Sequence, residues 1–295
     1  MRKILLTIVA IGFVLFAYQA NAAEIIPYGS FNYKLSNDEN SSGKSYSKLE
    51  DNGSSIGVEV IDLGVEGDTI TGFAKLEVGV DTDDSGSDTF DSKLAYVGLD
   101  SDMGQLSVGR QSHPFTDNIG GKTSIFNVYG GGSDRNYGTR SSNSMKFSTT
   151  QSGLTLDTIG IVDGSSTNTN AFDEFEVTIS TKLLGSDISV GYADDVNSDI
   201  SYWGVAGSTD LGALTVSSSY TIYDAATDKY GLEATASYSI FSVGYGDKEG
   251  TGLAYTAGVS HDLNDSVSVY AEGEMTDLDS GSDTTSWSIG SKFTF

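Results

Sequence analysis

The sequence has no cysteine, only two prolines and two histidines, and few basic residues for a length of 295. Without cysteine it can form no disulfide, thiol nucleophile or thiolate metal site. After the first 22 residues, no apolar stretch approaches the ~20 residues that a membrane-spanning helix needs. The 16 Lys and Arg are outnumbered by 41 Asp and Glu, which gives a net charge of −25. This balance argues against nucleic-acid binding, which depends on basic side chains neutralising phosphates.

The first 22 residues are typical of a secretory signal peptide. Arg2-Lys3 supplies a basic start, Ile4–Tyr18 an apolar run, and Ala20-Asn21-Ala22 a small-residue cleavage site. We therefore expect export, removal of residues 1–22, and one mature domain over residues 23–295, which is 273 residues long. Loss of Arg2 and Lys3 would change the net charge from −25 to −27. A retained anchor helix is the less favoured alternative, because the apolar run is short.

Apolar and polar residues alternate in sixteen segments of the mature chain. In the last segment Trp287, Ile289, Phe293 and Phe295 share one face, and Ser288, Gly290, Lys292 and Thr294 share the other. A β-strand has a period of two residues, so one face meets an apolar medium and the other meets water. If every segment does this, too few apolar residues remain to fill a core. Lipid is then the simplest apolar medium.

The connections between these segments are alternately short and long, and the long ones are mostly acidic. Short turns at one end and long loops at the other are typical of transmembrane β-barrels. We therefore predict an all-β fold, a 16-stranded antiparallel barrel, with fourteen and eighteen strands as less favoured counts. The 36 glycines and 16 tyrosines suit tight turns and interfacial aromatic girdles. A closed barrel of this size encloses water, which predicts a channel for small solutes.

The longest connection, Ser112–Ser142, is predicted to fold into the lumen as a constriction loop. An external flap is the alternative. Arg110 falls on the outward parity of its strand but lies at the strand end, where it could turn into the lumen. The basic residues expected on the pore wall by strand parity are Lys34, Lys75, Lys93, Lys146 and Lys182, with Arg140 if its strand begins early. The acidic residues expected there are Glu59, Glu77, Glu174, Glu176, Glu233, Glu272 and Glu274.

Two stretches carry a family resemblance. Residues 92–99, SKLAYVGL, and 103–111, MGQLSVGRQ, followed by Pro114-Phe115, resemble the fourth and fifth strands of Gram-negative general porins. Tyr28-Gly29, the segment from Arg140 to Phe147 and the terminal Phe295 are similar to the same family. The resemblance implies a homotrimer of sixteen-stranded outer-membrane barrels, with a constriction loop after strand five. By that match Lys93 and Arg140 occupy basic wall positions, Arg110 opens the loop, and Phe295 with Phe293 forms the C-terminal assembly signal.

The chain also departs from the porin pattern. Ser55 stands where many members place a wall arginine, and Asn127-Val128-Tyr129-Gly130-Gly131 replaces their acidic loop motif. Asp117 and Asp134 are the remaining loop acids. A strong transverse field is therefore not expected, and the acidic balance predicts a mild preference for cations. A substrate-selective channel is the related alternative, and a secreted β-sandwich adhesin or lectin is the alternative from another class.

Catalysis, cofactors and bound metals are not expected. Asp81–Gly86 imitates the start of a calcium loop, but the twelfth position is Ser92 instead of the glutamate that such a loop needs. Loose bridging of divalent cations by the acidic external loops stays open. A serine hydrolase would have to use His113 or His261, and the frequent serines and aspartates make any pairing with them uninformative.

Overall fold

The computed structural model describes residues 23–40, 42–64, 69–83, 89–130, 138–162, 172–196, 199–224 and 229–295. Their strands form one antiparallel sheet that closes on itself. The strands are β1 (Glu24–Glu39), β2 (Ser45–Asp51), β3 (Ser55–Leu63), β4 (Ile70–Val80), β5 (Phe90–Ser101), β6 (Gly104–Ser112), β7 (Arg140–Gln151), β8 (Leu154–Ile161), β9 (Glu174–Leu183), β10 (Ser186–Asp195), β11 (Ile200–Leu211), β12 (Leu214–Asp224), β13 (Lys229–Tyr238), β14 (Phe241–Lys248), β15 (Gly252–Asn264), β16 (Val267–Leu278) and β17 (Thr284–Thr294). Between β6 and β7 lie a short helix, α1 (Pro114–Asn118), and a 3₁₀ turn (Gly120–Lys122).

β2 and β3 together fill one position of the barrel. Both pair with β1, β2 along its second half and β3 along its first half. The 17 strands therefore occupy sixteen positions, and the predicted sixteen-stranded closed barrel is confirmed. The sequence interpretation of Asn37–Gly53 as a loop is wrong, because β1 continues to Glu39 and β2 returns beside it. Polar residues occupy both faces of β2, so no alternation marked it as a strand.

Pairing of the first and last strands closes the barrel. β17 runs antiparallel to β1, with Phe31 opposite Phe293. The terminal Phe295 exchanges two backbone hydrogen bonds of 3.1 Å with Gly29, and its ring stacks on Phe31 at 6.3 Å. Closure removes the free sheet edges, which is the condition for placing strands in hydrocarbon. The two-sheet sandwich considered from the sequence is therefore not the fold.

The two faces of the sheet reverse the arrangement of a soluble protein. One face carries exposed apolar side chains around the barrel, among them Phe31, Leu35, Val97, Leu99, Val190, Trp203, Val205, Ile289 and Phe293. The opposite face carries buried polar side chains, among them Asn32, Ser36, Glu176, Thr178, Ser189, Ser219, Glu233 and Ser288. Apolar residues outside and polar residues inside are expected of a barrel in lipid around an aqueous lumen.

Two-residue turns connect strands at one end of the barrel. Ser152-Gly153 joins β7 to β8, and Leu184-Gly185 joins β9 to β10. All four residues have positive φ, between 52° and 87°. That conformation belongs to the turn type whose twist matches the flanking strands, and glycine adopts it without strain. The short end predicted from the sequence is thus built from tight hairpins. Among the described residues, no helix is long and apolar enough to span a bilayer.

Candidate functional site: the lumen and its inserted loop

Residues 113–130, called the lumen loop here, leave β6 and run along the inside of the barrel. Asn118 hydrogen-bonds to Asp157 on β8 and Thr178 on β9. Further along, Thr123 is 3.3 Å from Ser219 on β12. Asn127 then reaches Glu272 on β16. One segment can contact strands so far apart in the sheet only across the interior, so the loop lies in the lumen.

The root of the lumen loop is a buried cluster around His113. Its Nδ1 is 2.6 Å from Oε1 of Glu176 and 3.5 Å from Oε1 of Glu174, both on β9. Its Nε2 is 2.8 Å from the hydroxyl of Ser141 on β7. The backbone N–H of Phe115 donates to Oε2 of Glu176 at 3.0 Å. Since His113 and Glu176 have no exposed side-chain surface, the cluster joins the loop root to the wall.

Burial and the neighbouring carboxylates act in opposite directions on the pKa of His113. Burial alone would lower the pKa of His113, because it disfavours the charged form. The hydrogen bond and charge of Glu176, with the charge of Glu174, outweigh burial and hold the pKa of His113 above its ordinary value. The linked chain Ser141–His113–Glu176 has the order found in serine hydrolases. A general base must reach the substrate, however, and the ring of His113 is completely covered.

Glycines in the wall form two sockets for aromatic side chains of the lumen loop. A Cβ on Gly204 would lie 2.6 Å from the ring of Phe115, and one on Gly191 would lie 3.0 Å from it. A Cβ on Gly244 would lie 2.8 Å from the ring of Phe126. A Cβ at Gly204 or Gly244 would clash with the ring, and one at Gly191 would make an unusually tight contact, so these strand glycines permit the close approach of the loop. Phe115 is completely buried as a result.

The tip of the lumen loop is held by two wall carboxylates. Glu272 accepts hydrogen bonds from the backbone N–H groups of Asn127, Val128 and Tyr129 at 2.6, 2.8 and 3.3 Å. The side-chain amide of Asn127 adds a fourth bond at 3.1 Å. Glu274 accepts the N–H of Gly130 at 2.8 Å. These bonds anchor the loop through its backbone, and we call the Glu272–Glu274 pair the tip latch.

Tyr129 extends this attachment across the barrel seam. Its hydroxyl donates to Oδ1 of Asp38 on β1 at 2.9 Å. Burial and the hydrogen bond and charge of Asp38 raise the pKa of Tyr129 above its ordinary value. The phenol therefore stays protonated at neutral pH and keeps donating to the carboxylate.

The wall from β1 to β7 carries paired charges. Nζ of Lys34 is 3.2 Å from Glu50, Nζ of Lys75 is 3.1 Å from Glu59, and Nζ of Lys93 is 4.0 Å from Glu77. The Lys93 position depends on a β-bulge, because Glu77 pairs with Leu94 whereas Val78 pairs with Ser92. The bulge lets Lys93 reach the carbonyls of Gly53 and Ser54 inside the barrel, although Val97 and Leu99 of the same parity point outward.

Lys146 and Asp117 meet where the loop faces this wall. Their charged atoms are 3.6 Å apart, beside a cavity of about 330 Å³ that Lys75 and Tyr96 also line. Desolvation raises the pKa of Asp117 above its ordinary value, and the charges of Lys146 and Arg140 partly offset the shift. Arg140 therefore lies within electrostatic reach of Asp117. The arrangement brings loop and wall charges together at one side of the lumen.

Other residues predicted from the sequence lie away from the Lys146–Asp117 pair or outside the described residues. The guanidinium of Arg110 donates to the carbonyl of Ser92 and the hydroxyl of Ser142, on the parity of the outward-facing Leu106 and Val108. Lys182 lies beside the turn to β10, 4.0 Å from Asp187. Asp134, residues 84–88 of the calcium-like loop and residues 1–22 lie outside the described residues.

Sequence reasoning did not foresee the sockets or the tip latch. Glycine inside a strand can signal a close approach of another segment, so Gly191, Gly204 and Gly244 carried a readable signal. Glu272 and Glu274 were expected on the wall, but their partners are backbone N–H groups, which leave no mark in the sequence. Tyr28 and Tyr96 also contribute to the wall, and the hydroxyl of Tyr28 donates to Glu77 at 3.0 Å.

Comparison with solved structures identifies the architecture. OmpT of Vibrio cholerae in its trimer form is 17% identical over 93% of this chain and 100% of its own, with a TM-score of 0.73. The anion-selective porin from Comamonas acidovorans is 14% identical over 93% and 100%, with a TM-score of 0.74. Salmonella typhi OmpF in complex with daunomycin is 14% identical over 92% and 97%, with a TM-score of 0.75. At such identities the likeness shows the fold alone, a transmembrane barrel of the porin type.

The family assignment comes from the sequence itself. A family model described as Gram-negative porin matches residues 7–291. The chain therefore belongs to the Gram-negative porin family, as its resemblance indicated. Among the curated proteins, none matches the sequence. The family and the barrel fold are those of an outer-membrane porin channel.

Proposed function

We propose that the barrel conducts small hydrophilic solutes and ions by passive diffusion, without energy coupling. The observation that carries this proposal is the course of the lumen loop. It follows the wall from β9 to β16 and is held there at both ends, by His113 and by the tip latch. The opposite wall keeps charged and polar side chains beside a cavity of about 330 Å³. A polar passage narrowed by an anchored loop suits sieving by size.

The paired wall charges support weak ion selectivity. Lys34, Lys75 and Lys93 each have a wall carboxylate within 4.0 Å, and Lys146 has Asp117 of the loop. Neighbouring opposite charges cancel at a distance, so no strong transverse field acts on a passing ion. The chain as a whole has a net charge of −25. We therefore propose a mild preference for cations.

Export and assembly complete the proposal. We propose that residues 1–22 direct export and are removed, and that Phe293 and Phe295 act as the C-terminal assembly signal. We also propose a homotrimer, since OmpT of Vibrio cholerae, a similar structure, has a trimer form. Cross-linking of detergent-purified protein, followed by electrophoresis without boiling, tests the assembly. A single band at the monomer mass would contradict it.

Single-channel recording tests conduction directly. Purified protein added to a planar bilayer is expected to give discrete current steps in KCl, and liposomes containing it should swell in isosmotic sugars at rates that fall with solute size. A substrate-selective channel is the alternative, favoured by the aromatic rings of Phe73 and Tyr96 in the wall, 6.3 Å apart. A substrate-selective channel would carry an ion current that one class of solute blocks in a saturable manner. Absence of current steps would contradict both.

The selectivity prediction uses one wall pair. In a KCl gradient the wild-type channel should show a reversal potential of the cation-preferring sign. Lys75→Gln removes a positive charge and leaves Glu59 unpaired, so cation preference should rise. Glu59→Gln is the matched control, since it removes the opposite charge from the same pair and should lower the preference. Clear anion preference of the wild type would refute this prediction.

A further inference from the structure

Three possible metal ligands converge at the root of the lumen loop. Nδ1 of His113, a carboxylate oxygen of Glu174 and one of Glu176 all lie within 4.8 Å of one another. His113 and Glu176 have no exposed side-chain surface, while Glu174 is 22% exposed and connects the cluster to the lumen. One imidazole and two carboxylates from two segments of the chain thus point at a common centre.

The spacing of these atoms is close to that of a zinc site. Zinc–nitrogen and zinc–oxygen bonds of 2.0–2.2 Å place tetrahedral ligands about 3.4 Å apart. The 3.5 Å between His113 and Glu174 already meets this value. The distance of 2.6 Å between Nδ1 of His113 and Oε1 of Glu176 must increase by about 1 Å. Rotation of the carboxylate can supply this increase once the metal replaces the proton that the two atoms share.

The surrounding hydrogen bonds orient the ligands. With the proton on Nε2, His113 donates to Ser141 at 2.8 Å and presents the lone pair of Nδ1 to the centre. Oε2 of Glu176 accepts the backbone N–H of Phe115 at 3.0 Å, which leaves Oε1 for the metal. Partners of this kind fix ring orientation and carboxylate geometry in known metal sites. The cluster is therefore more than a group of acids.

We propose that His113, Glu174 and Glu176 bind a divalent transition-metal ion of the zinc class, with water completing the coordination from the lumen side. The nitrogen ligand favours zinc and its neighbours over calcium, which prefers oxygen alone. A metal here would tie the first residue of the lumen loop to β9. Zinc binding is measured without any current recording, so the proposal stands or falls independently of the proposed channel function.

The chain is well suited to a direct test, because it has no cysteine and its only other histidine is His261. His261 is exposed near the end of β15, at the opposite end of the barrel. Full-length folded protein in detergent, without a histidine tag and stripped with EDTA that is then removed, is titrated with ZnCl₂ by calorimetry. We expect one saturable zinc per chain. His113→Gln and Glu174→Gln should each weaken binding about tenfold or more, whereas His261→Gln should leave it unchanged.

If His113→Gln disturbs the loop root, its weaker binding is not specific to a lost ligand. Zinc-edge X-ray absorption of the His261→Gln protein avoids this problem, because His113 stays in place. Imidazole scattering at 2.0–2.1 Å would then come from His113 alone and would support the site. An all-oxygen shell, unchanged affinity of His113→Gln, or no saturable zinc binding by the wild type would overturn it. Equal competition by CaCl₂ would also overturn it, since that result would assign the binding to surface carboxylates.

Discussion

Replacing Glu272 by alanine should free the tip of the lumen loop and raise both the mean conductance and the current noise of the channel. Glu272 accepts four hydrogen bonds from Asn127, Val128 and Tyr129. Hydrogen bonds to a charged group contribute about 1.5–3 kcal/mol each to stability. If only two of the four bonds are lost in net terms, the free energy of the detached tip falls by on the order of 3 kcal/mol or more relative to the attached tip. This change corresponds to roughly a 100-fold rise in the population of the detached state.

Two measurements separate release of the loop from loss of a charge. Glu59→Ala is the matched control, because Glu59 is also a wall acid but pairs with Lys75 and not with the loop. It should change ion selectivity while leaving the noise at the wild-type level. The absence of native cysteine also allows Val128→Cys to be labelled with a thiol reagent. Labelling should be faster when Glu272→Ala is added; equal rates would show that Glu272 does not hold the tip.

The architecture could be predicted from the sequence, because a strand with one face in lipid and one in water must alternate apolar and polar residues. β9 illustrates this rule, because its apolar and polar residues alternate with the period of two of a strand. The apolar face carries Phe175, Val177 and Ile179, and the polar face carries Glu174, Glu176 and Thr178. Backbone groups in hydrocarbon must all be paired, so strands with this pattern have only closure available to them. The closed barrel and the lumen-facing acids follow from that restriction.

The parts that could not be predicted depend on local irregularities and on backbone partners. Lys93 was expected on the pore wall by parity, but it shares the parity of the outward-facing Val97, and it is the bulge between Glu77 and Val78 that turns it to the lumen. β2 has polar residues on both faces, so no alternation marks it as a strand. The tip latch joins carboxylates to peptide N–H groups that every residue possesses. Side-chain identity therefore cannot reveal where the loop docks.

The socket for Phe115 gives the second large effect. In Gly204→Ala the new Cβ would lie 2.6 Å from the Phe115 ring and 3.0 Å from Ile119, with the buried loop root behind them. Forcing extra volume into a packed site costs about 1–3 kcal/mol. We therefore expect a lower midpoint of thermal unfolding, which is measured from gel mobility after heating to increasing temperatures below boiling. We also expect a noisier channel, because the loop root is displaced. A larger residue at this position should prevent the loop from seating.

A neighbouring glycine and a compensating change test this interpretation. Gly207 lies on the same strand, but a Cβ there would meet only the carbonyl of Asp187 at 3.5 Å, an ordinary contact. Gly207→Ala should therefore change stability by less than about 0.5 kcal/mol. Phe115→Leu vacates part of the socket, so combining it with Gly204→Ala should cost less than the sum of the two single changes. Strict additivity of the two would show that Gly204 and Phe115 do not compete for the same space.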